Sequence, residues 1–206
     1  MSITVSIIDF LYRNYPIQRF WILETIARAP YFAFLSVLHL RESLGLRGEE
    51  HLYLMKEHFA QTLNETEHLE YMESIGGADR WIDRLFAWHL VLVYYWIMVG
   101  YYYFDAVDAY HLNAGIELYA TQTYLDYLWE HPEDQKIAEI AVDEMNHYIE
   151  LTKDQVFEEA KINMQGRQVM SKGIRNNDRL MIFDNKLAEN LFQKVVGFLP
   201  QTHGTY

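Results

Sequence analysis

The feature that most restricts the fold of this chain is the length of its segments without a helix-breaking residue. Glu49–Ile75 and Glu133–Ala160 contain neither proline nor glycine, and the 206 residues include only four prolines and ten glycines. A β-sandwich or β-barrel needs frequent turn residues, whereas uninterrupted segments of this length are typical of helices. The sequence therefore predicts an all-α protein.

Seven helices are predicted, and helix breakers separate several of them. Gly45 ends the second helix, Gly76 ends the third, and Pro132 precedes the sixth. Pro30 is expected to kink the second helix. The predicted ranges are Ile3–Arg13, Arg19–Leu44, Glu49–Ile75, Asp79–Phe104, Asp105–Glu130, Glu133–Ala160 and Leu180–Phe198.

Apolar spacing predicts the faces of two of these helices. The first is amphipathic, with Ile7, Phe10 and Leu11 on one face. The third is expected to turn five apolar residues toward the core, namely Leu52, Met55, Phe59, Leu63 and Leu69.

Composition excludes several classes of function. The formal net charge of −12 argues against a nucleic-acid partner, which needs a basic face. Because there is no cysteine, disulfides, thiolate metal sites, iron–sulfur clusters and thiol catalysis are excluded. No Gly-x-Gly-x-x-Gly or P-loop pattern is present, so nucleotide cofactors lack their usual cradle. Met1–Asp9 has no basic region or cleavage site, so no signal peptide is expected.

Two regions have the composition of helices that contact a membrane. Leu85–Phe104 carries no formal charge over its twenty residues, which is long enough to span a bilayer. Its tyrosines would lie at many depths rather than in two interfacial belts, which argues against a span. A helix that is apolar on all sides also suits the centre of a large helical bundle. Residues 1–44 combine four arginines with many aromatic and aliphatic side chains, the composition of helices lying in a membrane interface. An interface with another subunit is the alternative explanation.

Two Glu-x-x-His motifs, Glu65–His68 and Glu144–His147, indicate metal chemistry. Positions i and i+3 share one helix face, about 5–6 Å apart, so a carboxylate and an imidazole can bind one ion. Glu24 and Glu117 lie on apolar faces of two other helices, where an unpaired carboxylate is costly. Together these are the ligands of a di-iron carboxylate bundle, and four carboxylates match two ferrous ions in charge.

Each of these residues has an ordinary structural explanation when it is taken alone. Glu24 can pair with Arg28 one turn further on, and Glu117 can be half-exposed. His68 and His147 can be ordinary polar positions. The prediction of a metal centre therefore depends on all six residues occurring together.

These motifs and the segments around them resemble the alternative oxidase family, most closely its plastid terminal oxidase branch. The resemblance runs from about Arg19 to about Ile149. Arg19-Phe20 through Leu23–Thr25 looks like the family's first ligand motif, and the following segment Ala27–Leu40 is very characteristic. The other matching segments are Asn64-Glu65 with His68-Leu69, Gly76-Gly77 with Asp79–Arg84, Glu117 with Ala120, Thr123 and Tyr124, and Asp143-Glu144 with His147.

The resemblance implies a ferritin-like four-helix bundle with short flanking helices and a centre of two iron ions. It implies a membrane-bound, homodimeric quinol oxidase that reduces O2 to water without pumping protons and uses plastoquinol or ubiquinol. Such a protein would lie in the interface of a thylakoid or plasma membrane, on the cytoplasmic side, without spanning it. The implied ligands are Glu24, Glu65, His68, Glu117, Glu144 and His147.

The resemblance also implies residues that support the metal centre. Asn64 and Asp143 each precede a ligand glutamate and are expected to orient ligands. Tyr124 lies two turns after Glu117 and is implied to have a redox role, although a packed core tyrosine is the alternative. The implied quinol pocket is lined by Arg19, Leu23, Ile116, Ala120 and Thr123. His39 and Arg41 resemble positions on a dimer-forming helix.

Some positions depart from the family. Leu118, Tyr119 and Gln122 stand where mitochondrial members carry acids and a histidine, and the insertion of plastid enzymes is absent, as in a cyanobacterial or cyanophage form. Residues 1–160 are expected to form the oxidase domain, and residues 161–206 an extension of unknown role.

Two rival functions stay open from the sequence. A ferritin-like protein that binds or stores iron would use the same six ligands, without the apolar, arginine-bearing N-terminal region. A transmembrane scaffold anchored by Leu85–Phe104 would carry its carboxylates incidentally.

Overall fold

The computed structural model of the chain describes residues 3–164 and Lys194. Over these residues it contains six helices and no strand, which confirms the all-α prediction. Apart from Lys194, the predicted helix Leu180–Phe198 lies outside the described part of the chain, as does most of the extension. The helices are α1 (Ile3–Tyr12), α2 (Pro16–Ser43), α3 (Glu49–Ser74), α4 (Trp81–Phe104), α5 (Ala106–Glu130) and α6 (Gln135–Met164).

Local sequence signals account for several helix ends. α2 begins three residues earlier than predicted, at Pro16, because proline is tolerated in the first turn, where its missing N–H group is not needed. It continues through Pro30 as one helix. Gly45 and Gly76 follow α2 and α3 with φ angles of +88° and +91°, a left-handed conformation that favours glycine. α6 passes the predicted boundary at residue 160 and is described as far as Met164.

The core consists of two apolar clusters. Phe20 and Trp21 of α2 and Leu118 and Tyr124 of α5 belong to the first cluster. The second cluster draws on later residues of α2, such as Phe34, and on earlier residues of α5. On each of α2, α3, α5 and α6, the predicted metal ligands lie at, or within about one turn of, the place where the chain passes from one cluster to the other. A polar layer is thus enclosed between two apolar ones.

The predicted inward face of α3 is wrong at three positions. Leu52, Phe59 and Leu63 are exposed by 53%, 57% and 50%. The side that faces the bundle carries mostly polar residues, because this side borders the polar layer rather than an apolar core. Its buried residues are Leu54, His58, Gln61, Thr62, Glu65, His68, Leu69 and Met72.

α4 lies at the edge of the bundle, so the alternative that placed Leu85–Phe104 at its centre is wrong. Only Asp83, Ala87, Met98 and Tyr102 of this helix are buried. Both α2 and α4 are long and apolar enough to cross a membrane, but 72% of the apolar window of α2 is buried inside the protein, against 17% for α4. The large apolar side chains of α4 therefore form most of an exposed apolar face.

α1 continues this exposed apolar region. Phe10 and Leu11 are 81% and 51% exposed, whereas Ile8 is buried. The Tyr12 hydroxyl donates a 2.8 Å hydrogen bond to Asp83, which joins the end of α1 to the start of α4. The apolar N-terminal segment is therefore divided, with much of α2 in the core and part of α1 exposed.

Candidate metal centre

Six buried side chains from four helices form two groups that can each hold a metal ion. The ligand atoms within each group lie within 4.8 Å of one another. Glu65 and Glu144 belong to both groups, so each can bridge two ions. The first group is Glu24, Glu65, His68 and Glu144, and the second is Glu65, Glu117, Glu144 and His147.

The imidazoles face the shared carboxylates through their Nδ1 atoms. His68 Nδ1 lies 3.2 Å from Oε1 of Glu144 and 3.5 Å from Oε2 of Glu24. His147 Nδ1 lies 2.8 Å from Oε1 of Glu65. The two imidazole rings are 6.5 Å apart between centroids. The arrangement gives each group one imidazole and places the shared carboxylates between them.

These ligand atoms lack hydrogen-bond partners, which is unusual for buried polar groups. Both carboxylate oxygens of Glu65 and of Glu144 are buried with no hydrogen bond. The same holds for one oxygen of Glu24, one of Glu117, and Nδ1 of both histidines. Metal ligation satisfies such lone pairs, so the residues fit a pair of bound cations.

The carboxyl groups are buried too closely together for all of them to be charged without cations. Burial, and next the charge of Glu65, raises the pKa values of Glu24 and Glu144 from 4.5 to about 8. Burial and the charge of Glu144 raise the pKa of Glu117 well above its ordinary range. Burial alone would raise the pKa of Glu65, but the adjacent His147 lowers it. Two divalent cations would replace the protons that this site otherwise holds.

We expect the metal-free protein to lose stability as the pH rises from about 5 to about 8. Glu24 and Glu144 ionise near pH 4.5 when unfolded but near pH 8 when folded, so the folded state binds more protons in this window. The free energy of unfolding then falls with increasing pH. Scanning fluorimetry of chelator-treated protein measures the effect, and a melting temperature that rises over this window would contradict it.

Asp143 and Asn64 lie behind His68. The Nε2 atom of His68 is 3.1 Å from Oδ2 of Asp143, and the Asn64 amide donates to the same oxygen at 3.4 Å. A carboxylate that accepts from Nε2 leaves Nδ1 free to ligate and fixes the plane of the ring. The geometry thus suits the orienting roles expected of both residues.

Two tyrosines donate hydrogen bonds to candidate ligands. The Tyr124 hydroxyl donates to Oε1 of Glu24, and the Tyr31 hydroxyl donates to Oε1 of Glu117 at 2.8 Å. Both tyrosines are fully buried. Tyr31 lies seven residues after Glu24, the same spacing that separates Tyr124 from Glu117, so this spacing is a sequence signal for both tyrosines.

Arg19 makes polar contacts with three side chains beside this centre. Its guanidinium donates to the Tyr119 hydroxyl at 2.6 Å and to Thr123 at 3.3 Å, and it pairs with Asp9 at 2.5 Å. Leu23 and Ala120 are buried in the adjacent apolar cluster.

Ile116, the remaining residue of the implied quinol pocket, is partly buried. Asp9 and Tyr119 had been given no role, although Tyr119 precedes Thr123 by one turn on the same helix face.

The fold and the buried ligands define a class: an all-α bundle with carboxylate and histidine groups suited to a metal centre. The alternative oxidase family model matches residues 7–168, so the chain belongs to the alternative oxidase family. Among its relatives, ubiquinol oxidase 4, chloroplastic/chromoplastic, of Arabidopsis thaliana is 43% identical over 133 residues. This match covers 64% of the chain but only 37% of that relative. No solved structure matches the chain significantly.

Proposed function

We propose that this chain is a di-iron quinol oxidase that transfers electrons from plastoquinol or ubiquinol to O2 and forms water without pumping protons. The observation that carries the proposal is the enclosed set of six ligands, whose lone pairs have no hydrogen-bond partners. Family membership and the name of the Arabidopsis relative support the choice of quinol as reductant.

The donor set suits iron. Four carboxylates and two imidazoles form an oxygen-rich site with one nitrogen ligand for each ion, which iron accepts well. Bound iron supplies the electron-transfer chemistry with which two quinols reduce one O2 to two waters. The protein holds the ligands on four helices and encloses them between apolar layers that exclude water.

The proposed quinol-binding region is the polar cluster around Arg19. A guanidinium held by Asp9, Tyr119 and Thr123 can donate a hydrogen bond to a quinone oxygen without large rearrangement. Arg19 lies five residues before Glu24 on α2, so a head group bound there sits near the metal centre. Leu23, Ala120 and Ile116 supply apolar surface for the rest of the molecule.

The exposed face of α4, with the end of α1, is the proposed membrane-contacting surface. Trp88, Leu92 and Trp96 are more than half exposed, and water is a poor environment for such a surface. A lipid-soluble quinol would reach the protein from this side. We place the chain in the interface of a thylakoid or plasma membrane on the cytoplasmic side.

The protein is further proposed to be a homodimer. Leu40 of α2 and the outward residues Leu52, Phe59 and Leu63 of α3 leave apolar surface that a second copy can cover. His39 and Arg41 belong to the same end of α2, where Arg41 donates to the carbonyl oxygen of Tyr102 at 3.3 Å.

Removal of iron tests the proposed function directly. Chelator-treated protein should lose quinol-dependent O2 consumption, measured with cyanide present, and recover it when about two ferrous ions per chain bind. Zinc can occupy such a site but has no redox chemistry, so zinc-loaded protein is the control and should stay inactive. Iron binding without any quinol-dependent O2 consumption would favour an iron-storage protein instead.

The membrane surface has its own test. We expect Trp88→Glu combined with Trp96→Glu to weaken binding to phospholipid vesicles more than about tenfold, because each buried apolar side chain contributes about 1.5–3 kcal/mol. Val156 on α6 is 59% exposed, so Val156→Glu is a control outside this surface. Vesicle flotation measures the bound fraction, and equal binding by both variants would exclude α4 as the contact surface.

A further inference from the structure

A line of polar side chains leads away from the metal centre between α3 and α6, here called the α3–α6 seam. It begins at Glu65 and His147, and one turn further the Gln61 amide donates a 2.9 Å hydrogen bond to Glu150. Residues three and four apart share a helix face, so the side chains of following turns continue the same line. Its outer members are His58, Glu57 and Glu50 of α3 and Asp154, Glu158 and Lys161 of α6.

Asp154 and Glu57 form the middle of the seam, and their negative charges are poorly compensated. Asp154 is only 2% exposed. Its Oδ2 atom and Oε2 of Glu57 are buried and accept no hydrogen bond. Burial, and next the charge of Glu57, raises the pKa of Asp154 to about 8. This pair therefore has the properties of a site that lacks a cation.

The neighbouring histidine does not supply the missing charge. Nε2 of His58 lies 3.9 Å from Oδ2 of Asp154, and burial lowers the pKa of His58 to about 4. Its ring nitrogens are instead 2.8 Å from Gln61 and from the Tyr110 hydroxyl. A neutral imidazole engaged in this way adds no positive charge. Burial raises the pKa of Glu57 above its ordinary value, although a hydrogen bond from Tyr53 and the charge of Lys153 favour its ionised form.

The outer end of the seam contains a positively charged side chain of the protein. The Lys161 ammonium pairs with Glu158 at 2.8 Å and also with Glu50. The carboxylates at this end therefore surround a positive charge, and the seam continues inward as a line of acidic residues.

We propose that the α3–α6 seam is the path by which ferrous iron reaches the metal centre, with Glu57 and Asp154 as a transient binding site. The inference rests on the proposed function, since it supposes that the centre binds iron. Five acidic residues of the seam, Glu50, Glu57, Glu150, Asp154 and Glu158, outnumber Lys161. Such an excess of negative charge concentrates cations and accelerates their arrival. Carboxylate oxygens are ligands that ferrous iron accepts.

The number of available ligands gives this path a direction. Among the described residues, groups of at least three ligand atoms close enough to share one ion occur only at the metal centre. Two carboxylates in the seam can hold a ferrous ion briefly, whereas the centre offers each ion four ligands. An ion that enters the seam is therefore retained only at its inner end.

The rate of iron loading tests this path. Metal-free protein carrying Glu57→Gln and Asp154→Asn is mixed anaerobically with ferrous iron, and a chelator quench then measures incorporated iron against time. We expect loading about tenfold slower than in the wild type, because the two carboxyl groups that can exchange a proton for the ion are gone. The final iron content and the quinol oxidase turnover per bound iron should be unchanged.

The control removes the same number of charges elsewhere. Glu70→Gln with Glu139→Gln alters exposed positions on α3 and α6, so it should load at the wild-type rate. A merely structural role for Glu57 and Asp154 would change the melting temperature but not the loading rate. Wild-type loading by the Glu57/Asp154 variant would therefore overturn the proposal.

A second variant keeps the test decisive if the first one folds poorly. Lys161→Gln removes the ammonium from the outer end, and the protein should then load iron faster than the wild type. Loading that is unchanged or slower would contradict the path. If the wild type itself fails to bind iron, the proposed function fails; if the wild type loads normally and neither variant differs from it, only this inference fails.

Discussion

Replacement of Glu144 by alanine is expected to abolish quinol-dependent O2 consumption and to prevent the binding of two irons. Glu144 belongs to both ligand groups, so its loss removes a ligand from each ion at once. Residues that merely orient a ligand cost about 10- to 100-fold in metal affinity or activity when they are changed. A shared ligand should cost more, so activity should fall by more than about 100-fold.

Glu139→Ala is the matched control for this experiment. Glu139 lies on the same helix, but it is exposed and pairs only with Lys136 among the described residues. This variant should keep its full iron content and turnover. Iron analysis and oxygen-electrode measurements on both variants separate ligand loss from misfolding. Full activity in Glu144→Ala would defeat the assignment of the metal centre.

The candidate ligand positions could be selected from the sequence because ligation requires a local pattern. A Glu-x-x-His pair must share one helix face to serve one ion, so its spacing is visible in the sequence. Glu24 and Glu117 were visible for another reason, since a carboxylate within an apolar helix segment requires compensation. All four segments converge in the structure, with the six ligand atoms buried between two apolar clusters.

The burial of α3 and α4 could not be predicted from apolar periodicity. Periodicity assumes that the apolar face turns inward, but α3 turns its polar face to the metal centre and leaves Phe59 and Leu63 outside. The composition of α4 predicts a buried helix. In the structure other helices cover only part of its surface, so most of its side chains are not buried. A chain that contacts lipid or another subunit breaks the rule that apolar means internal.

Polar contacts between residues far apart in the chain could not be predicted from the sequence either. Asp9 meets Arg19 and Tyr119 because α1 folds back onto α2 and α5, and no local pattern encodes that packing. Tyr31 shares the spacing of Tyr124, but only the packed structure indicates which buried hydroxyl reaches a carboxylate.

Tyr124→Phe should lower quinol oxidase turnover between about 10-fold and about 100-fold while leaving the iron content normal. The phenylalanine ring can keep the packing against Phe20, whose centroid lies 4.6 Å from that of Tyr124. The change removes only the hydroxyl that donates to Glu24. Hydrogen bonds to charged groups contribute about 1.5–3 kcal/mol, which corresponds to this range of rates.

A second tyrosine variant distinguishes loss of the Tyr124 hydroxyl from the effect of any tyrosine substitution on α5. Tyr127 lies one turn further on and stacks on His131, away from the ligand carboxylates. Tyr127→Phe should therefore keep both iron content and turnover. Because Tyr124→Phe leaves the candidate ligand Glu24 unchanged, a loss of iron would indicate a structural role for the hydroxyl. Unchanged turnover with normal iron would remove Tyr124 from the chemistry altogether.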